Sequence, residues 1–354
     1  MKKALVLFSG GLDSILATRL MQEQEGLSVE GIHFVSIFTS DDEPESEHLQ
    51  ARHAARELGM PLIVEENSGE LLEQIKAPRF GLGRNMKPCI DCRIRNIRRA
   101  AEVMQGIGAD FLVTGEVVGE RPMSQNRQSL CLIEKESCVE GLLLRPLSAK
   151  LLAPTVPEQR AWVDRSRLLG IHGRSRKPQM ALAERYGIEE YPSPAGGCLL
   201  TDPGFSARLR DLILNDPDCD LNDCRLLKVG RHFRLSPKSR IIVGRCHEEN
   251  EAIADLAREG DRLLAAADLP GPLTLLRGDY GAEELQRAAA ITARYGKGKD
   301  DPCVTIRVRH PKDDRHDGET MDVGPAPDWA LDDCRIQPGS SMRKGETACR
   351  KGHG

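Results

Sequence analysis

The stretch that decides the fold is residues 3–14, KALVLFSGGLDS, near the start of the chain. Five consecutive apolar residues at 4–8 predict a buried β-strand, because they are too few for a secretion signal. The two glycines that follow permit a tight turn. Residues 15, 16, 20 and 21 then place apolar side chains on one helical face. The segment therefore predicts a strand, a glycine turn and a helix.

Outward from this segment, strands and helices continue to alternate as far as residue 115. Strand candidates lie at residues 4–8, 31–35, 62–64 and 111–113, and a second helical face covers residues 94–104. Such alternation predicts an α/β domain with a parallel sheet covered by helices. A smaller α+β domain is predicted from a hairpin at 229–243, helices at 248–266 and 282–295, and strands at 273–276 and 304–308.

Length and punctuation suggest the domain limits. The 354 residues exceed the usual size of one domain, and Gly and Pro are dense from residue 146 to residue 203. The segment after residue 310 is polar and offers little to bury, which predicts disorder. We therefore expect a nucleotide-binding domain at 1–150, a linker or catalytic-loop region at 151–215, an α+β domain at 216–310 and a disordered tail at 311–354.

Composition excludes several classes of protein. Hydrophobic residues make up 40% of the chain and charged residues 29%, which favours a globular fold. The sequence contains no apolar run near the roughly 18 residues that a spanning helix needs, so we expect no membrane association. Without an export signal, the odd total of 11 cysteines predicts a reducing, cytoplasmic setting in which some thiols are catalytic or bind metal.

The turn at residues 9–14, SGGLDS, has the chemistry of an anion site. Glycine backbone and helix N-terminal N–H groups favour a multiply charged phosphate. Asp13 would repel that phosphate unless a divalent cation lay between them, so the loop predicts Mg²⁺ as well. A plain Gly-Gly turn is the structural alternative. The chain has no Walker sequence, which disfavours ordinary γ-phosphate hydrolysis.

The complete hexapeptide resembles the PP-loop signature of the ATP pyrophosphatase superfamily. This resemblance implies an adenine-nucleotide α-hydrolase-like domain that splits ATP between the α- and β-phosphates and adenylates a carbonyl oxygen. A nucleophile then displaces AMP. The candidate ATP-binding residues are Ser9, Gly10, Gly11, Leu12, Asp13, Ser14, Phe34, Gly115 and Gln125, and Asp13 is also a catalytic candidate.

Three cysteines are candidates for the second half of the chemistry. Cys89 and Cys92 form a C-x-x-C at the start of the 94–104 helix, where the helix N-terminus favours thiolates. Such a pair is compatible with a redox couple, half of a zinc site or part of an iron–sulfur site. Cys198 follows glycine in a Pro- and Gly-rich loop about a hundred residues later.

The surrounding motifs resemble the tRNA thiolases. Residues 114–119, TGEVVG, and 144–147, LRPL, are similar to stretches of the 4-thiouridine synthase family. Cys92 and Cys198 are placed like the two active cysteines of these enzymes, which include the tRNA 2-thiouridylases. In the cluster-dependent branch a third cysteine, matched by Cys89, completes the ligands of a 4Fe-4S cluster. The resemblance favours a cluster over a persulfide on Cys198, and both routes remain open.

A basic segment supplies the candidate RNA contacts. Residues 225–245 contain seven Arg or Lys and no Asp or Glu, and Arg307 and Arg309 share one face of a strand. A solvated basic hairpin is the alternative. Residues 229–234 and 242–250 resemble the RNA-binding domain of the NFACT family. The predicted RNA-binding residues are Arg231, Arg234, Lys238, Arg240, Arg245, Arg307 and Arg309.

Together these resemblances imply an ATP-dependent tRNA uridine sulfurtransferase. Its partners would be tRNA and a sulfur donor, either sulfide or a persulfide-carrying protein, and its cofactors ATP, Mg²⁺ and a 4Fe-4S cluster. One alternative is a PP-loop amidating ligase that uses ammonia and needs no thiols. The other is a non-catalytic RNA-binding protein with zinc at Cys89, Cys92 and Cys198.

Overall fold

The computed structural model describes residues 1–39, 49–83, 85–191, 197–314 and 316–339. Two compact units are present, Met1–Leu199 and Leu200–Gly354. Within the residues that the structure describes, no helix combines the length and apolarity needed to span a bilayer.

Unit 1 is an α/β domain. Its elements are β1 (Lys2–Leu7), α1 (Leu12–Gln22), β2 (Leu27–Val35), α2 (Gln50–Glu57), β3 (Leu62–Glu66), α3 (Ser68–Lys76), α4 (Cys89–Gly106), β4 (Phe111–Thr114), α5 (Arg127–Glu136), β5 (Leu143–Leu144), α6 (Val156–Gln159) and α7 (Lys177–Arg185). The strands pair in the order β3-β2-β1-β4-β5, and every pair is parallel. The predicted parallel sheet is therefore confirmed.

The first apolar segment is the centre of this sheet because both of its faces are buried. Ala4 and Val6 pack in a core with α1, whereas Leu5 between them packs in a second core with α4. Strands buried on both faces are read in sequence as continuous apolar runs. The chain leaves β1 toward β2 on one side, while β4 lies on the other, so a crevice opens at the carboxyl ends of β1 and β4.

The predicted linker does not separate from the first domain at residue 150. Unit 1 continues to Leu199, because apolar residues of this segment complete the core around α1. Val163, Leu168 and Leu182 are buried in the same cluster as Leu16 and Leu20. The Gly and Pro residues therefore mark turns within the domain and not a boundary.

Unit 2 is a smaller α+β domain. Its elements are α8 (Pro203–Asn215), α9 (Leu221–Leu226), β6 (Arg231–Ser236), β7 (Ser239–Val243), α10 (His247–Asp255), β8 (Arg262–Ala266), β9 (Thr274–Gly278), α11 (Ala282–Arg294), β10 (Val304–Arg309), β11 (Glu319–Val323) and α12 (Asp328–Cys334). The strands form an antiparallel sheet in the order β11-β10-β8-β9-β7-β6.

The single helix predicted over residues 248–266 is wrong. Helix α10 ends at Asp255, and the last part of the stretch is strand β8. Gly260 turns the chain with φ of +93°, a conformation that strongly favours glycine. Beyond it, Leu263 and Leu264 enter different cores on the two faces of the sheet, which is the period of a strand.

The prediction of disorder from residue 311 is also wrong over part of its length. Strand β11 pairs with β10, joining Val323 to Val304, and α12 buries Leu331 and Cys334 in the core that contains Phe233. A few apolar residues suffice here because an edge strand and a surface helix each bury only one face. Residues 340–354 of the predicted tail lie outside the described residues.

Candidate active site

The phosphate loop, residues 9–14, joins β1 to α1 and is held by its own hydroxyl groups. Ser14 Oγ donates to the Gly11 carbonyl at 2.8 Å and accepts from the Ser9 N–H at 3.3 Å. Gly10 adopts φ of +72°, and a Cβ there would lie 2.9 Å from the Ala51 Cα. Glycine is required at that position for both reasons. The loop thus presents main chain and the exposed Ser9 at the head of α1, where anions bind.

Gly115 lets the end of β4 pack directly on this loop. A Cβ at Gly115 would lie 2.5 Å from both the carbonyl carbon and the carbonyl oxygen of Asp13, and 2.7 Å from the Ser14 nitrogen. Those atoms belong to the backbone, so a side chain at position 115 would require the phosphate loop itself to move. The crevice between β1 and β4 is therefore closed at its floor by a glycine-to-backbone contact.

The Asp13 carboxyl group is incompletely satisfied. Its Oδ1 atom is buried and accepts no hydrogen bond from any described residue. Burial raises the pKa of Asp13 above its usual value. The positive charges of Arg176 and Arg121 and a contact with the Gln179 amide oppose this shift without cancelling it. A carboxylate in this position is stabilised when a cation binds beside it.

Glu120 faces the same carboxylate from the loop after β4. Its Oε2 atom is buried and has no hydrogen-bond partner in the described part of the chain. Burial and the charge of Asp13 raise the pKa of Glu120. Two adjacent carboxylate oxygens without partners are the hard donors that Mg²⁺ prefers. The residues present therefore fit the predicted divalent cation, which Asp13 and Glu120 would hold.

Buried Glu116 links the loop after β4 both to the segment after β5 and to helix α4. Arg145 Nε lies 3.1 Å from Glu116 Oε2, and both side chains are almost fully buried. Arg93, the residue after Cys92, contacts the other carboxylate oxygen of Glu116 at 3.7 Å. Burial raises the pKa of Glu116, but Arg145 and Arg93 outweigh burial and bring it below its usual value. Glu116 thereby holds the start of α4 beside the phosphate loop.

The other predicted ATP-site residues occupy supporting positions. The Leu12 side chain is buried in the core with α1, so only its backbone faces the loop. Phe34 packs on the opposite core, with α4. Gln125 is buried, and its Oε1 accepts from the Arg121 N–H at 3.1 Å. Leu12, Phe34 and Gln125 therefore shape the site through backbone and packing in this structure.

The three candidate cysteines are all half-buried. Cys89 and Cys92 open α4, and the Cys92 thiol accepts a long contact from Arg95 Nη2 at 3.9 Å. Cys198 forms an isolated antiparallel bridge with Thr39, just beyond the carboxyl end of β2.

Burial raises the pKa of Cys89, and the positive charge of Lys87 is the strongest charge that opposes this shift. Among the described residues, no group of three or more Cys, His, Asp or Glu side chains is arranged to hold a metal ion. The iron–sulfur ligand set stays a prediction.

The basic surface of unit 2 differs from the prediction at Arg240. Arg240 is 5% exposed, and its Nη2 lies 2.6 Å from Asp223 Oδ1. Burial alone would raise the pKa of Asp223. Neighbouring positive charges, with that of Arg240 the largest, lower it to about 2. Arg240 is therefore a structural residue and is excluded as an RNA contact. Its partner Asp223 lies two residues before the basic segment, so the composition of residues 225–245 gave no sign of the ion pair.

The other predicted RNA contacts remain at the surface in different states. Arg234 pairs with Asp211 at 2.5 Å, and Arg245 with Glu249. Lys238 lies 3.3 Å from Asp279, with both side chains exposed. The guanidinium of Arg231 stacks 4.6 Å from the ring centroid of Tyr295, and Arg307 and Arg309 are half-exposed on β10.

Sequence reasoning missed four residues of the candidate active site: Glu120, Arg121, Arg176 and Gln179. The first two sit between the quoted motifs, and the other two belong to a stretch that reads as a linker. The only sequence signal was the basic run at the start of α7, residues 174–177, RSRK.

Comparisons with known proteins agree with both resemblances. Residues 1–150 match the family model described as thiamine biosynthesis protein (ThiI). Residues 230–333 match the model described as NFACT protein RNA binding domain. The predicted resemblance to the PP-loop thiolases, joined to an NFACT-like domain, is therefore confirmed.

Individual relatives are matched over part of their length. A tRNA-specific 2-thiouridylase MnmA from Syntrophotalea carbinolica is 36% identical over 32% of this chain and 34% of its own. A probable tRNA sulfurtransferase from Thermococcus kodakarensis is 25% identical over 41% and 36%. The chain thus spans about a third of the length of these relatives. A solved 4-thiouridine synthetase in complex with RNA and bound ATP is 23% identical, with 61% of this chain and 51% of that chain covered and a TM-score of 0.35.

Proposed function

We propose that the chain is an ATP-dependent tRNA uridine sulfurtransferase. The observation that carries the proposal is that the phosphate loop and the cysteine pair meet at one end of the same sheet. Burial raises the pKa of Asp13 and of Cys89, and one guanidinium, that of Arg121, opposes both shifts. Glu116, in the loop after β4 that packs on the phosphate loop, also pairs with Arg93 of α4. An adenylating site and thiols are thereby available to one substrate.

The first step is activation of a uridine carbonyl. Main-chain N–H groups at the head of α1 bind the phosphates of ATP, and the uridine carbonyl oxygen attacks the α-phosphorus. The bond to the bridging oxygen breaks, and pyrophosphate leaves with the electron pair. Mg²⁺ bound at Asp13 and Glu120 would supply neutralisation of phosphate charge. In this account Arg121 stabilises negative charge on the phosphates.

The second step replaces the activated oxygen with sulfur. Hydrosulfide attacks the uridine carbon, AMP leaves with the former carbonyl oxygen, and one proton is released as the C=S bond forms. If the donor is a persulfide on Cys198, its terminal sulfur bonds to the carbon as AMP leaves. Attack by the Cys92 thiolate on the Cys198 sulfur then frees the thiouridine and leaves a disulfide, which an external thiol must reduce.

Unit 2 supplies RNA binding in this proposal. Arg231, Lys238 and Arg307 are the predicted contacts that we place first, because within the described chain none of them pairs with a buried acid. Arg309, on the same strand as Arg307, stays a predicted contact. The pair of Lys238 with Asp279 is exposed on both sides, so it competes weakly with a phosphate. Binding through such residues should weaken steeply with added salt. The match to an NFACT RNA binding domain supports this role.

The test uses the purified full chain with unmodified tRNA transcript, MgATP, a persulfide-carrying donor protein and a reducing thiol, so that sulfur must pass through Cys198. Pyrophosphate release and thiouridine formation are measured separately. We expect Asp13→Ala to lose both, because activation precedes sulfur transfer. Cys198→Ser should release pyrophosphate without forming thiouridine, whereas Cys131→Ser, at an exposed cysteine on α5, should retain both.

Two results would contradict the proposal. One is full thiolation by the Cys198→Ser and Cys92→Ser variants, which would remove the cysteines from the chemistry. The other is incorporation of ammonia in place of sulfur with the thiols dispensable, which would make the chain an amidating ligase.

A further inference from the structure

Helix α7 contributes a buried amide, Gln179, beside the Asp13 carboxylate. Gln179 is 0% exposed, and neither its Oε1 nor its Nε2 completes a hydrogen bond with a described residue. A buried polar group without a partner destabilises a fold by about 1–3 kcal/mol. Gln179 is held in this position because α7 packs on α1, where Leu182 and Ala183 enter the core. An apolar residue would serve that packing better, so the amide indicates a ligand.

The backbone brings a second segment to the same place. Val118 and His172 form a parallel bridge, and the Gly173 N–H donates to the Val118 carbonyl at 2.8 Å. This contact sets the loop after β4 against the segment that leads into α7. Glu120 and Arg176, a few residues beyond each side of the bridge, are thereby brought toward Asp13.

Five buried polar atoms without hydrogen bonds within the described chain gather around this point. They are Asp13 Oδ1, Glu120 Oε2, Arg176 Nε, and Oε1 and Nε2 of Gln179. The set contains two anionic acceptors, one cationic donor and one amide that both donates and accepts. A ligand that satisfies all of them carries a positive centre for the carboxylates and anionic oxygens for the arginine and the amide. A metal-bound polyphosphate has this composition.

We infer that Glu120, Arg176 and Gln179 bind the β- and γ-phosphates of ATP, the part that leaves as magnesium pyrophosphate. The inference rests on the proposed function and extends it beyond the phosphate loop. Arg176 and the Gln179 amide donate to phosphate oxygens, and Glu120 joins Asp13 in holding the cation. In this assignment the three side chains contact neither the adenosine nor the α-phosphate. Helix α7 therefore discriminates ATP from AMP.

The test compares the binding of ATP, AMP and inorganic pyrophosphate, each with Mg²⁺, by calorimetry on the full chain. The variants are Gln179→Met and Arg176→Met. Their matched controls are Gln105→Met on the exposed face of α4 and Arg185→Met at the end of α7. We expect Gln179→Met and Arg176→Met to weaken ATP and pyrophosphate at least tenfold and to leave AMP within twofold. The controls should bind all three ligands like the unaltered chain.

Thermal unfolding without ligand supplies a second readout. Gln179→Met should melt at the same or a higher temperature, because it removes an unsatisfied buried amide while keeping the volume. A lower melting temperature with unchanged pyrophosphate affinity would overturn the inference, since Gln179 would then be a structural residue. Equal weakening of AMP would also overturn it.

Different results would contradict this inference and the proposed function. If Asp13→Asn loses ATP while Gln179→Met and Arg176→Met bind pyrophosphate normally, the inference fails and the phosphate loop stands. If the unaltered chain binds neither ATP nor pyrophosphate with Mg²⁺, the proposed function fails as well.

Discussion

Replacing Gly115 with alanine tests the contact on which the geometry of the site depends. The added Cβ would lie 2.5 Å from the Asp13 carbonyl atoms and 2.7 Å from the Ser14 nitrogen. Ordinary contacts of this kind require about 3.5 Å or more, so the two loops must separate by about 1 Å. Overpacking of this kind costs about 1–3 kcal/mol. If the cost falls on the bound state, ATP binds about 5- to 150-fold more weakly.

The same strain should be visible in stability. In a domain of this size, each kcal/mol lowers the melting temperature by about 2–4 °C. The matched control is Gly69→Ala in α3, where a Cβ meets open space and φ is not positive. That substitution should leave ATP affinity unchanged and stabilise the helix slightly, because alanine is the better helix former.

Calorimetric titration with MgATP and a thermal melt of each variant test whether Gly115 packs directly on the phosphate loop. The expected pattern is weaker ATP binding and a lower melting temperature for Gly115→Ala alone. Wild-type affinity and stability in Gly115→Ala would refute the close packing of β4 on the phosphate loop. Equal losses in Gly69→Ala would show that the effect is not local.

Further predictions follow from the charged groups and the cysteines. Arg240→Met should destabilise unit 2 by about 1.5–3 kcal/mol in urea unfolding, because it removes one charged hydrogen bond to buried Asp223 while Arg277 stays 2.8 Å from that carboxylate, and it should leave the RNA affinity of the folded chain unchanged. Arg307→Met should leave stability unchanged and lower the salt slope of RNA binding by about 1. Arg145→Met should destabilise unit 1 at pH 7 by an amount similar to that for Arg240→Met. Since the pKa of Glu116 is held below its usual value, the stabilisation is complete above about pH 4.5 and is lost as pH falls further, so the deficit of Arg145→Met should shrink in acid unfolding curves. Anaerobic purification followed by metal analysis should find iron and sulfide lost together on Cys89→Ser if the predicted cluster exists, whereas zinc in place of iron would contradict that prediction.

Much of unit 1 was predictable because its signals are local. The apolar run 4–8 and the two glycines after it fix a strand and a turn within a dozen residues. The parallel pairing of the strands followed from the alternation of strands and helices. The edge elements β11 and α12 were missed because a surface strand or helix buries one face and so resembles a polar tail in sequence.

The site was predictable only where it coincides with a motif. Asp13 and Gly115 stand in short signatures, and the structure places them in contact. Gln179 carries no such signal, because its meaning depends on the packing of α7 against a helix more than 150 residues earlier. Arg240 shows the opposite error: a basic run predicts an exposed surface, yet its partner Asp223 removes it from solvent. Charge patterns identify composition, whereas burial depends on the fold.

Analysis of tRNA nucleosides by mass spectrometry tests the central claim most directly. Cells that lack this chain are compared with cells complemented by the intact chain, by Asp13→Ala and by Cys198→Ser. We predict that one thionucleoside disappears without the chain and returns only with the intact sequence. Persistence of every thionucleoside in cells that have no other thiolase would contradict the proposed sulfur transfer.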